Sequence, residues 1–137
     1  HTRWLSDWSS DVCSSDLAKG PAKNLTVASA EAAQAMLRDA LARVQDSAMA
    51  RPDADLVKRE FALNADTALL ALDLGRERIL AGNVATAGLP AGVKAKLADR
   101  LRDIIARHRA VWMERNRPGG LRESAGRMES LLALLER

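Results

Sequence analysis

Residues 90–116 read PAGVKAKLADRLRDIIARHRAVWMERN, and the spacing within this stretch decides the fold class. Val93, Leu97, Leu101, Ile104, Ile105, His108, Val111 and Trp112 recur at steps of three and four. That period places them on one face of an α-helix. Lys94, Lys96, Arg100, Arg102, Arg107 and Arg109 occupy the face between, with Asp99 and Asp103 at spacings that pair with them along the helix. Pro90 suits the helix start, where its missing N–H costs nothing.

Working outward, residues 117–120 read RPGG and form a turn. A last helix is predicted from Leu121 to about Glu136. Glu123 sits in its first turn, where a carboxylate favours the exposed amides, and Ala125, Met128, Leu131, Leu132 and Leu135 face the core. Upstream, residues 81–92 are small and glycine-rich. Before them a second helix enters at Pro52 or Asp53 and runs to about Gly75, or on to Leu80. Val57, Phe61, Ala65, Ala68, Leu69 and Leu72 form its stripe, and Gly75 and Gly82 are points where it kinks or stops. The first helix covers about residues 28–50, with Thr26 or Ser29 as cap. Its stripe is Ala33, Met36, Leu37, Ala40, Leu41, Val44 and Ala48, and Pro52 ends it by disfavouring the α conformation at Arg51. No alternating β pattern occurs after residue 17. The expectation is an all-α bundle of about four helices, antiparallel where the loops are short. It forms one domain over 28–137, preceded by a linker at 18–27.

Residues 7–17, DWSSDVCSSDL, have neither helical nor strand period. All eleven match, in order, the in-frame translation of a common short-read sequencing adapter. Segments of that origin are excluded from fold reasoning, so residues 1–17 are read as a non-native, irregular front. The exclusion removes the only cysteine, Cys13, together with Trp4, Trp8 and His1. A cysteine-free remainder is neither a disulfide scaffold nor a thiolate metal site, and it fits a cytoplasmic setting. With the foreign front and no initiator methionine, the expectation is the C-terminal piece of a larger bacterial protein.

The whole chain carries 21 Lys and Arg against 18 Asp and Glu, a net charge of +3. Without Arg3, Asp7, Asp11 and Asp16 the counts become 20 and 15, a net charge of about +5. Acids are interspersed throughout, whereas nucleic-acid binders concentrate basic residues on one face or in runs. A solvated, ion-paired helix surface and no nucleic-acid partner are expected. No apolar run approaches the roughly 20 residues of a membrane span, so no membrane partner is expected either. Self-association into a homo-oligomer stays open.

No residues single out a catalytic centre. His108 is the one imidazole after residue 17, and a lone histidine on an apolar stripe is usually a packing residue. Metal sites want two to four clustered ligands, and no His-x-x-x-His or Glu-x-x-His pair is present. The carboxylates are spread over amphipathic helices and define no acid–base pair. Gly82, Gly88 and Gly92 are too scattered to cradle a phosphate. Ser124 and Ser130 lie within a helix and outside any nucleophile elbow. No catalytic, cofactor or metal residue is assigned.

The most specific local feature is residues 112–121, WMERNRPGGL. As plain structure, Trp112 fills the end of the bundle, Pro118 stops one helix, Gly119 and Gly120 supply unusual backbone angles, and Leu121 opens the next helix. Arg115 and Arg117 then cover the last carbonyls. Two arginines and Asn116 around a rigid turn exceed what a helix stop requires. The set Trp112, Arg115, Asn116, Arg117, Pro118, Gly119, Gly120 and Leu121 is therefore a structural or docking motif, able to meet a neighbouring domain or a carboxylate.

This segment, led by His108-Arg-Ala-Val-Trp112 and followed by a short apolar helix, resembles the extreme C-terminus of bacterial β-N-acetylhexosaminidase-like glycoside hydrolases of family 20. The helical pattern that follows residues 51–54, RPDA, is compatible with the helical C-terminal domain of such enzymes. The specific match spans about fifteen residues. The resemblance implies a (β/α)₈ catalytic barrel N-terminal to this piece, which would be its principal partner. It also implies substrate-assisted hydrolysis by an Asp-Glu pair. This chain has no Asp-Glu dipeptide, so no catalytic residue carries over. Two readings from other classes stand beside this one. The first is a free-standing helical interaction or oligomerisation module. The second is a small all-helical enzyme whose arginines converge on an anionic metabolite.

Overall fold

The computed structural model describes residues 24–116 and 118–137. Among them there are four long helices and no strand: α1 (Val27–Asp46), α2 (Ala54–Leu80), α3 (Ala91–Arg115) and α4 (Leu121–Leu135), with a 3₁₀ turn at Thr86–Gly88. The all-α bundle of about four helices expected from periodicity is the fold. The front segment expected to be irregular, residues 1–17, lies outside the described residues.

Local chemistry sets the boundaries. Thr26 and Ser29 form a reciprocal capping box at the start of α1. The Thr26 hydroxyl accepts from the Ser29 N–H at 3.1 Å, and the Ser29 hydroxyl accepts from the Thr26 N–H at 2.9 Å. Leu25 and Thr26 thus belong to the fold rather than to a linker. Helix α1 stops at Asp46, earlier than the proline at 52 requires. Ser47 turns to extended backbone and its hydroxyl donates to the Val44 carbonyl at 2.6 Å, competing with continuation of the helix.

Helix α2 passes through Gly75 and ends at Leu80. Gly82 and Asn83 both take positive φ, and their N–H groups donate to Ile79 and Arg78 carbonyls at 3.0 and 2.8 Å. This is a Schellman stop, and it satisfies carbonyls the helix end would orphan. Gly75 serves packing instead of termination, because a Cβ there would lie 2.6 Å from Leu25 Cδ2.

Packing follows chain order: α1 lies on α2, α2 on α3 and α3 on α4, with the 3₁₀ turn against α4. Helix α2 is accordingly apolar on two opposite faces. Leu63, Leu70 and Leu74 join the main core with Leu89, with Leu97, Ala98, Leu101, Ile104 and Ile105 of α3, and with Leu135 of α4. Ala65, Leu69 and Leu72 are also buried but stand outside that cluster. They share a face with Lys58 and Arg76, which bond to Gln45 and Glu31 of α1. Periodicity reveals the second face and hides the first, because a helix covered on both sides reads as one broad stripe.

On α1 the buried arc is centred on Ala30 and Gln34. Met36, expected inside, is 75 % exposed, and Ala48 is exposed beyond the helix end. Gln34 occupies the inward position because its side-chain amide donates to Asp73 Oδ1 at 2.6 Å, so its burial leaves no unmet donor there. The α3 stripe lies where expected. It is fully buried from Leu97 to Ile105 and half-buried at Val93, His108, Val111 and Trp112.

Candidate functional site

The corner between α3 and α4 holds the motif singled out in the sequence. Gly120 has φ 90° and precedes the first residue of α4, and Leu121 N–H donates to the Pro118 carbonyl at 3.3 Å. That left-handed conformation strains a residue carrying a Cβ. The Trp112 ring closes over the same glycine, and a Cβ on Gly120 would stand 3.4 Å from Trp112 Cζ2. Trp112 and Leu121 are half-buried, while Asn116, Pro118, Gly119 and Gly120 are exposed. Arg117 lies outside the described residues.

His108 sits one turn before Trp112, with ring centroids 5.7 Å apart and planes tilted by 52°. Its Nε2 shares a hydrogen bond with Ser124 Oγ at 2.9 Å, tying α3 to the first turn of α4. Burial holds the imidazole below its ordinary pKa, which keeps it neutral near pH 7. The sequence suggested a packing histidine, and this geometry has it acting as an interhelical tie.

Arg115 faces back toward α2. Its guanidinium contacts Glu60 at 2.7 Å and Asp53 at 3.4 Å. The adjacent Glu114 takes both terminal nitrogens of Arg59 at 2.5 Å each. The Arg59 hydrogen bond lowers the Glu114 pKa, and the Arg51 hydrogen bond lowers that of Asp53. The arginine proposed from sequence as a docking group is thus engaged with carboxylates of its own chain.

The remaining α3 arginines divide between two seams. Arg100 pairs with Asp73, and Arg107 with Asp66 at 2.7 Å, both on α2. Arg102 pairs with Glu136 at 2.8 Å, and Arg109 with Glu129, both at the other edge. In-helix pairs Arg102–Asp99 and Arg107–Asp103 add to these. The arginines therefore diverge and do not build one anion pocket. A shallow groove of about 480 Å³ between α3 and α4 is floored by Ala98 and Leu135 and edged by Lys94, Arg102 and Arg137. Its Arg102 is already spent on Glu136.

Sequence reasoning did not foresee these seams, although a signal was present. Asp66 and Asp73 are seven apart, as are Arg100 and Arg107. Two matched heptad steps on antiparallel helices meet in register.

Among the described residues no group of three or more His, Cys, Asp or Glu side chains is placed to hold a metal ion. Nor, among them, is any helix long and apolar enough to cross a membrane. Fold and site together define an ion-pair-laced array of antiparallel helices whose most specific feature is a Trp–Gly corner. No family model, curated protein or solved structure matches the chain.

Proposed function

We propose that the chain is a non-catalytic helical domain of a β-N-acetylhexosaminidase-like glycoside hydrolase, its catalytic barrel lying N-terminal in the same polypeptide. One observation carries the reading. Within residues 112–121, which resemble the C-terminus of that family, Trp112 packs on Gly120 at the tight corner between α3 and α4. A Trp, a proline stop and paired glycines are what such a corner needs, so the resemblance rests on residues with a defined job. The half-buried Trp112 and the exposed Pro118 and Gly119 leave that corner accessible for contact with a neighbouring domain.

Sequencing the source DNA upstream of the codon for Ala18, with adapter sequence removed, tests this. An open reading frame continuing into a barrel with an Asp-Glu pair is the expected result. A frame continuing into an unrelated gene would overturn it. The chain itself is expected not to hydrolyse an aryl N-acetyl-β-glucosaminide.

The second reading, a free-standing helical interaction module, draws support from surface apolarity. Among the described residues the large apolar side chains that stand exposed, Met36, Leu80 and Met113, lie on three different helices. Isolated exposed apolar residues need no covering partner. Cooperative unfolding of the isolated chain, together with an upstream frame lacking a barrel, would favour this reading.

A further inference from the structure

We propose that α1 is an arm that opens from α2 as a separate unit while α2, α3 and α4 stay folded. The main core draws its side chains from α2, α3, α4 and the connection at Leu89, and none from α1. Within α1 only Ala30 and Gln34 are fully buried, one a methyl group and the other polar. The apolar side chains on the same arc, Leu37, Leu41 and Val44, are half-buried.

Two features make such an opening self-consistent. The faces of α2 lie on opposite sides of the helix, so removing α1 leaves Leu63, Leu70 and Leu74 against α3 undisturbed. Asp73, which accepts from Gln34, also accepts from Arg100 of α3. When α1 departs, the carboxylate keeps a cationic partner and is not left orphaned. The other polar ties are exposed or long: the Lys58 ammonium to the Gln45 carbonyl at 2.6 Å, the Gln45 side-chain amide to the Lys58 carbonyl at 3.3 Å, and Arg76 to Glu31 at 4.0 Å. Residues 47–53, which contain Pro52, form the hinge. Opening uncovers Ala65, Leu69 and Leu72, an apolar strip that the closed arm hides. Units that open separately are drawn from elements that stand outside the main core, as α1 does.

Native-state hydrogen exchange of the full chain, followed by mass spectrometry across low denaturant concentrations, tests the proposal. Amides of α1 are expected to exchange through an opening at least about tenfold more populated than the one exposing residues 97–105, and with a weaker denaturant dependence. Leu37→Ala should speed α1 exchange while leaving residues 97–105 unchanged, and Gln34→Ala should do the same. Coincident opening of α1 and α3 in the unsubstituted chain would overturn the proposal. Equal acceleration of both helices by Leu37→Ala or Gln34→Ala would overturn it too.

Discussion

Arg107 on α3 reaches Asp66 on α2 at 2.7 Å, one heptad from the matching contact between Arg100 and Asp73. The two pairs share one seam, and a shift of either helix by one residue would break both at once. Register is thus written twice, in the apolar core and in the charges beside it. The Arg107 and Asp66 side chains are 38 % and 34 % exposed, so solvent screens their attraction. A double-mutant cycle with Arg107→Ala and Asp66→Ala should give a coupling of about 0.5 kcal/mol, shrinking in 1 M NaCl. A coupling that does not respond to salt would show that the seam acts through packing of the arginine stem.

The core contrasts with the seam. Leu101 is 1 % exposed at the centre of the main cluster, while Met36 is 75 % exposed on α1. Leu101→Ala should cost about 2–5 kcal/mol in chemical denaturation, from lost transfer energy plus the cavity left behind. Met36→Ala should change stability by less than about 0.5 kcal/mol. Comparable losses at both positions would mean that Met36 is covered in solution.

At the α3–α4 corner, Gly120→Ala combines two costs. The φ of 90° is unfavourable with a Cβ, and the new methyl meets Trp112 at 3.4 Å. A loss of about 1–2 kcal/mol is expected from the left-handed conformation alone. Trp112→Ala should cost about 2 kcal/mol, less than full burial would give, because the ring is only half-buried. In the double variant the methyl no longer meets the ring, so the two losses should add to less than their sum. Strict additivity, read from urea midpoints by circular dichroism, would separate the glycine from the tryptophan.

Protonation divides into two windows. His108 has its pKa depressed by burial, so its folded value lies below the ordinary 6.5. The unfolded chain then binds the proton more readily, and stability falls as pH drops below about 6.5 toward the folded value. His108→Gln should flatten this part of the profile. Burial disfavours the charged form of Asp73, but the hydrogen bonds from Arg100 and Gln34 and the charges of Arg100 and Arg76 together outweigh it and hold its pKa down. Its contribution is present above about 3.8 and is lost as pH falls through its lower folded value. Asp73→Asn should reduce the acid limb, which Asp53 and Glu114 also feed, and leave the His108 window intact. Thermal melts from pH 3 to 8 would resolve the two.

Helix count, the α3 stripe and the α4 core face were all legible from period alone, because α3 and α4 each bury one principal face. Helix α2 was less legible because it is sandwiched, and Leu63, Leu70 and Leu74 on its second face do not interrupt the stripe visible on the first. Met36 misled because a large apolar residue at the edge of an arc looks like a core residue until a buried Gln34 displaces it. Gln34 in turn is buried only because Asp73 lies 39 residues away in sequence and close in space. The Trp112–Gly120 corner was legible because proline and paired glycines constrain the backbone locally. The partners of Arg115 were not, since Asp53 precedes and Glu60 belongs to a helix more than fifty residues earlier.

Gly75→Ala sets two effects against each other and tests how α1 is joined to α2. Inside a helix alanine is favoured over glycine by about 1 kcal/mol, which should strengthen α2 wherever space permits. The new Cβ would lie 2.6 Å from Leu25 Cδ2, the tip of a flexible side chain at the entry to α1. Leu25 can rotate away at little cost to α2, though doing so loosens the start of the arm. The substitution should therefore slow exchange of residues 97–105 by up to about fivefold, the effect of roughly 1 kcal/mol on the global opening. It should also speed exchange at the first turns of α1. Opposite signs in one variant are difficult to obtain from a single cooperative unit, so a uniform change across all four helices would argue that α1 and the main core open together.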